Sequence, residues 1–143
     1  MDAFDADVLI YAAVPGHELG RRVRALFPSD PVATAGSVAG IGSVLLIPEL
    51  LTKPLRERAT DEVDELAALL SRLELRATDE ATAELATALG ASYNLSSTDA
   101  VHLATAVGAG ADRFLTNNGA DFGKSITEID VTYPGDLQDP APR

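Results

Sequence analysis

The 143-residue chain contains no cysteine, so it can form no disulfide and offers no thiolate to a metal. Any bound ion must be held by oxygen or imidazole, and only His17 and His102 supply imidazole. Basic residues are scarce as well: 11 Lys and Arg stand against 22 Asp and Glu, a formal net charge of −11. That is the wrong sign for a surface that wraps nucleic acid through its phosphates. Long apolar runs are missing, and none approaches the roughly 20 residues a membrane helix needs, so no membrane span is expected. The opening Met1-Asp2-Ala3-Phe4-Asp5 places acids where an export signal carries Lys or Arg, and a cytoplasmic location is expected. No internal repeat is visible.

What is present describes an ordinary globular chain of one domain's length, 46% hydrophobic and 23% charged. Residues 7–13 are apolar enough for a buried helix, and a second helix over 18–27 carries Leu19, Val23, Leu26 and Phe27 at helical spacing, stopped by Pro28. Residues 29–41 read as a loop or short helix, and Val44-Leu45-Leu46-Ile47 as a strand. Pro48 then occupies a first helical position with Glu49 in the first turn. A helix is expected over 61–72, a short strand or link over 73–76, and a helix capped by Thr78 running to about residue 91. Ser96-Ser97-Thr98-Asp99 caps a buried helix that Gly108 and Gly110 end. Residues 113–116 and 129–133 read as strands. The alternation predicts a three-layer α/β/α domain with a central, mostly parallel sheet over 1–133, followed by a loose tail over 134–143.

The acids carry the chemistry. Asp5, Glu49, Asp99 and Asp121 each fall at a strand end, a helix start or the turn just after a strand. Sites in open parallel sheets form at the carboxyl ends of strands, so four acids distant in sequence can meet at one edge. Packed carboxylates repel one another and raise their own pKa values unless a cation neutralises them. Hard oxygen ligands without cysteine favour Mg²⁺ or Mn²⁺ over zinc. A metal lowers the pKa of a bound water and can clamp the attacking and leaving oxygens of a phosphodiester.

Four stretches in order resemble those of PIN domains. They are Asp5-Ala6-Asp7-Val8-Leu9-Ile10-Tyr11, Pro48-Glu49-Leu50-Leu51, Thr98-Asp99-Ala100-Val101-His102-Leu103-Ala104-Thr105-Ala106, and Leu115-Thr116-Asn117-Asn118 with Asp121-Phe122. The third, an Asp opening an Ala-rich helix, is the specific one. The resemblance covers roughly residues 1–133. It implies a metal-dependent ribonuclease, very often a VapC-type toxin that is dimeric and silenced by an antitoxin encoded beside it. It also implies that Asp5, Glu49, Asp99 and Asp121 are the catalytic, metal-holding acids, with Asp7, Thr116, Asn117 and Asn118 around them. Asn118 is a departure, because many members carry Asp there and others place the acid where Asp121 stands.

Other readings exist for the same residues. Asp5, Asp7, Glu49 and Asp99 suit helix starts through capping and the dipole alone. His102, on the same helix face as Asp99, reads as a hydrogen-bonded packing residue. Asp5-Ala6-Asp7-Val8 with Thr116 also fits a haloacid-dehalogenase-like phosphatase, but only Lys124 and Asp130 remain to complete it. A PIN-like binding module that no longer cuts is the other alternative. Arg21, Arg22, Arg24, Lys53, Arg56 and Arg58 are the candidates for an RNA-facing patch.

Overall fold

The computed structural model describes residues 1–27 and 38–140. Pro28 and most of the stretch read as a loop or short helix lie outside the described residues. The chain runs β1 (Asp2–Phe4), α1 (Ala6–Ala13), α2 (Glu18–Arg24), β2 (Gly40–Ser43), α3 (Leu46–Arg56), α4 (Thr60–Leu70), β3 (Leu73–Arg76), α5 (Glu80–Tyr93), α6 (Ser97–Gly108), β4 (Arg113–Leu115) and β5 (Asp130–Thr132). The strands form one sheet in the order β3-β2-β1-β4-β5, every pair parallel.

Strand periodicity distributes the core over both faces of this sheet. In β1, Phe4 enters the cluster shared with Leu9 of α1, Leu50 of α3 and Leu66 of α4, while Ala3 enters the cluster of Leu89 and Leu103 on α5 and α6. Leu115 and Phe114 of β4 divide in the same way. Helices therefore cover both faces, the expected three-layer α/β/α arrangement.

Residues 44–47 are not a strand. The strand is Gly40-Ile41-Gly42-Ser43, and the apolar run instead turns into α3, where Leu46 and Leu50 are buried one helical turn apart. β2 is built on close approach rather than on side-chain propensity. A Cβ on Gly40 would lie 2.4 Å from the Asp2 carbonyl oxygen and 2.5 Å from the Phe4 ring, so only glycine lets β2 sit this close to β1. Pro48 accordingly falls at the third position of α3 rather than the first, still among the four residues whose N–H has no partner within the helix.

Two further differences arise from local and tertiary contacts. Asp79, not Thr78, caps α5, its carboxylate accepting from the Thr82 amide at 2.9 Å. The segment expected as a loose tail is held against the fold as far as Asp139. A 3-10 turn at Pro134–Asp136 leads to Leu137, which is buried in the α1–α4 core. Arg22 of α2 donates to the Leu137 carbonyl at 2.8 Å and to that of Gly135 at 3.2 Å, and Arg21 pairs with Asp139. Among the described residues no helix is long and apolar enough to cross a membrane.

Candidate active site

β1 lies at the point where the chain changes direction across the sheet, with β2 on one side and β4 on the other. The crevice at the carboxyl ends of such strands is where α/β sheets bind ligands. Asp5 follows β1 directly and Thr116 follows β4 directly. The Asp5 amide donates to the Leu115 carbonyl at 2.9 Å, extending the ladder one residue past the strand and turning the side chain into the seam.

Asp5 is 5% exposed and fully engaged: Oδ1 accepts from the Ala6 amide at 2.9 Å and Oδ2 from the Thr116 hydroxyl at 2.8 Å. It is thus both the cap of α1 and a site carboxylate. Asp7, in the first turn of α1, accepts from the Asn117 amide at 3.0 Å through Oδ2, while its Oδ1 is buried without a hydrogen-bond partner among the described residues. Asn117 also donates through Nδ2 to the hydroxyl of Tyr11, one turn beyond Asp7, at 3.2 Å. The Thr116 hydroxyl in turn accepts from the Asn118 amide at 3.1 Å.

The remaining acids arrive on separate elements. Glu49 projects from the first turn of α3, and its Oε1 lies 2.6 Å from Nε2 of His102 on α6. Asp99 sits in the first turn of α6, where Ser96 caps the helix by accepting from the Asp99 amide at 3.2 Å. Asp121 accepts from Asn118 Nδ2 at 2.9 Å and returns its own amide to Asn118 Oδ1 at 3.3 Å. Thr116, Asn117 and Asn118 therefore hold Asp5, Asp7 and Asp121 respectively. The Asn118 amide group supplies a donor that an Asp there would lack.

Burial and neighbouring charge act on these groups together. Burial raises the Asp5 pKa, with Glu49 adding to the rise and Thr116 and His102 opposing it. Burial and then the Asp5 charge push Asp7 up to about 6, and Asp99 contributes. Asp99 is raised by burial, then by Asp5 and Asp121. His102 is also raised: burial, the largest influence, lowers it, but the bond to Glu49 and the charges of Asp5, Glu49 and Asp99 outweigh this. The acids of four sequence stretches thus form one mutually repelling set.

This donor set suits a hard divalent cation in kind, being all carboxylate, with a buried Asp7 oxygen that has no hydrogen-bond partner among the described residues. Among the described residues no group of three or more Asp, Glu or His is arranged to enclose a metal ion. The set fits an ion held by one or two carboxylates that keeps several waters, the usual state of Mg²⁺.

The basic residues divide. Arg21 and Arg22 fasten the C-terminal segment, and Arg24 bonds the Ala12 carbonyl and faces Glu65 at 3.8 Å. Lys53 and Arg56, in the last turn of α3, and Arg58 beyond it are exposed. Lys124 pairs with Asp136 at 2.6 Å, which removes the lysine a phosphatase reading needs. His102 packs as a buried, hydrogen-bonded residue, and its partner is Glu49, 53 residues away in sequence. Its spacing of three residues from Asp99 was the available signal, one that fits many packing residues equally well.

The fold and site define an all-parallel α/β domain with acids gathered at the switch point of its sheet. The model of the PIN domain matches residues 3–124, and the chain belongs to that family, whose members are nucleases. No curated protein is significantly similar to it in sequence. Among solved structures it is similar to a chain of a toxin-antitoxin complex from Klebsiella pneumoniae, with 23% identity, a TM-score of 0.70 and coverage of 94% of this chain and 98% of that one. It is also similar to a chain of VapBC2 from Rickettsia felis bound to a DNA fragment from their promoter, at 16% identity and a TM-score of 0.68, covering 92% and 97%. A chain of FitAB bound to the IR36 DNA fragment matches at 17% identity and 0.67, covering 99% and 100%.

Proposed function

We propose that the chain is a Mg²⁺- or Mn²⁺-dependent endoribonuclease and the toxin half of a toxin and antitoxin pair. The observation that carries the reading is the gathering of Asp5, Asp7 and Asp99, with Glu49 and Asp121 beside them, at the carboxyl edge of β1 and β4, where burial and like charge raise the pKa values of the first three. A fold does not keep acids at such a cost without a counter-charge. When bound, the cation neutralises this charge, polarises a phosphoryl oxygen and acidifies a water for attack on phosphorus.

The chain's own residues do the positioning. Asp5, fixed by Thr116 and the Ala6 amide at the end of β1, and Asp99, fixed on the first turn of α6, would hold the cation. Glu49 and Asp121 approach from α3 and from the turn after β4. The same neutralisation admits RNA to a surface of net charge −11, with Lys53, Arg56 and Arg58 as exposed contacts.

An antitoxin partner is supported by the similar chain from a toxin-antitoxin complex and by the one from VapBC2 bound to a DNA fragment from their promoter. A homodimer is supported by an apolar stripe along α3: Ile47 is 39% exposed and Leu55 60%, with Val44 just before the helix. The test is incubation of end-labelled single-stranded RNA with the purified chain and Mg²⁺ or Mn²⁺. Cutting that EDTA abolishes supports the reading. No cutting with either ion leaves a PIN-like binding module.

A further inference from the structure

Glu49 and Asp99 reach the site from opposite sides of the sheet. α3 packs in the core shared with α1 and α4, and α6 in the core shared with α5. The sheet separates these cores, so a direct tie between the two helices has to pass round its carboxyl edge. The His102–Glu49 bond is such a tie. At 2.6 Å it joins α6 to α3, with the His102 side chain 1% exposed and that of Glu49 36%.

The imidazole costs the fold something. Nδ1 of His102 is buried with no hydrogen-bond partner among the described residues, whereas leucine would fill the space with no polar atom left unsatisfied. Packing alone does not account for a histidine here. An ionised Glu49 has no hydrogen to give, so Nε2 carries the proton and donates. The bond from a residue one turn past Asp99 therefore holds a carboxylate of the opposite layer.

We infer that His102 is a positioning residue whose Nε2–H fixes Glu49 relative to Asp99 and Asp5, joining acids from two helical layers into one cation-binding surface. This rests on the cation-dependent reading of the site. Hydrogen-bonding partners of ligating carboxylates generally change metal affinity by about 10–100-fold when removed.

The experiment compares His102→Gln, which keeps an amide N–H near the Nε2 position, with His102→Leu, which fills the volume without a donor. Calorimetry on the full chain should show Mn²⁺ affinity close to wild type in the Gln variant and about 10–100-fold weaker in the Leu variant. In a Glu49→Ala background, His102→Leu should add no further loss. Cooperative thermal unfolding without cation verifies that each variant folds. Equal losses in the Gln and Leu variants, or a full additional loss in the Glu49→Ala background, would overturn the inference. Imidazole ¹⁵N NMR of the cation-free chain tests the bond separately. A hydrogen-bonded Nε2–H of His102 should be present in wild type and lost in Glu49→Ala, and its absence from wild type also overturns the inference. If that signal is present while wild type binds no Mn²⁺, the tie between layers is upheld and the cation reading is what fails.

Discussion

The hydroxyl of Thr116 donates to Asp5 Oδ2 at 2.8 Å, so the residue just after β4 holds the carboxylate just after β1. Both groups are buried, and the same hydroxyl accepts from the Asn118 amide. Thr116→Val keeps the shape and removes both bonds. The expected loss is roughly 1–3 kcal/mol in urea unfolding, with weaker Mn²⁺ binding because Asp5 loses the bond that opposes its raised pKa. Unchanged stability and unchanged affinity would show that Asp5 is held by other means.

Asp7 gives a pH prediction. Its carboxyl is pushed from 3.8 to about 6 by burial and then by Asp5, so the folded chain holds that proton more tightly than the unfolded chain does. Between these values the native state binds more protons than the unfolded state, and stability falls as pH rises through the window. The penalty persists above it. Asp7→Asn retains an acceptor for the Asn117 amide and removes the charge. It should stabilise the cation-free protein near pH 7 by on the order of 1 kcal/mol, after allowance for solvent screening, and give no gain below about pH 4. Thermal unfolding in EDTA at the two pH values measures this. A variant less stable than wild type near pH 7 would contradict it.

The C-terminal segment gives a third prediction. Leu137 is buried beside α2, and Arg22 grips its carbonyl and that of Gly135. Leu137→Ala should cost about 2 kcal/mol, at the low end for a buried leucine because the site is at the margin of the core. Arg22→Ala should destabilise in the same direction. Denaturation midpoints indistinguishable from wild type in both variants would mean that this segment contributes nothing to the fold.

The placement of the candidate site's acids was legible because they stand at positions the sequence itself marks. Asp5 and Asp99 open helices after recognisable boundaries, and the Ala-rich run after Asp99 has a periodicity that fits one buried helix. β3, β4 and β5 carried apolar residues between turn signals. β2 did not, because Gly40-Ile41-Gly42-Ser43 is a strand by virtue of what lies against it, and no local propensity records the nearness of Asp2 and Phe4. Val44-Leu45-Leu46-Ile47 was ambiguous for the opposite reason: a run of four apolar residues satisfies both strand and helix periods. The bond from His102 to Glu49 spans 53 residues of sequence, and the packing of Leu137 joins α2 to a segment more than a hundred residues later. Such pairings belong to the tertiary structure alone.

The central claim is that converging carboxylates hold a cation with which the chain cuts RNA. The most direct measurement is the initial rate of cleavage of end-labelled single-stranded RNA across a Mn²⁺ titration, for wild type and Asp99→Asn side by side. The account predicts a rate that rises with Mn²⁺ and saturates in wild type. In Asp99→Asn it predicts a rate reduced by at least about 10²-fold, with circular dichroism unchanged. Identical behaviour of the two proteins, or cleavage that proceeds undiminished in EDTA, would contradict it.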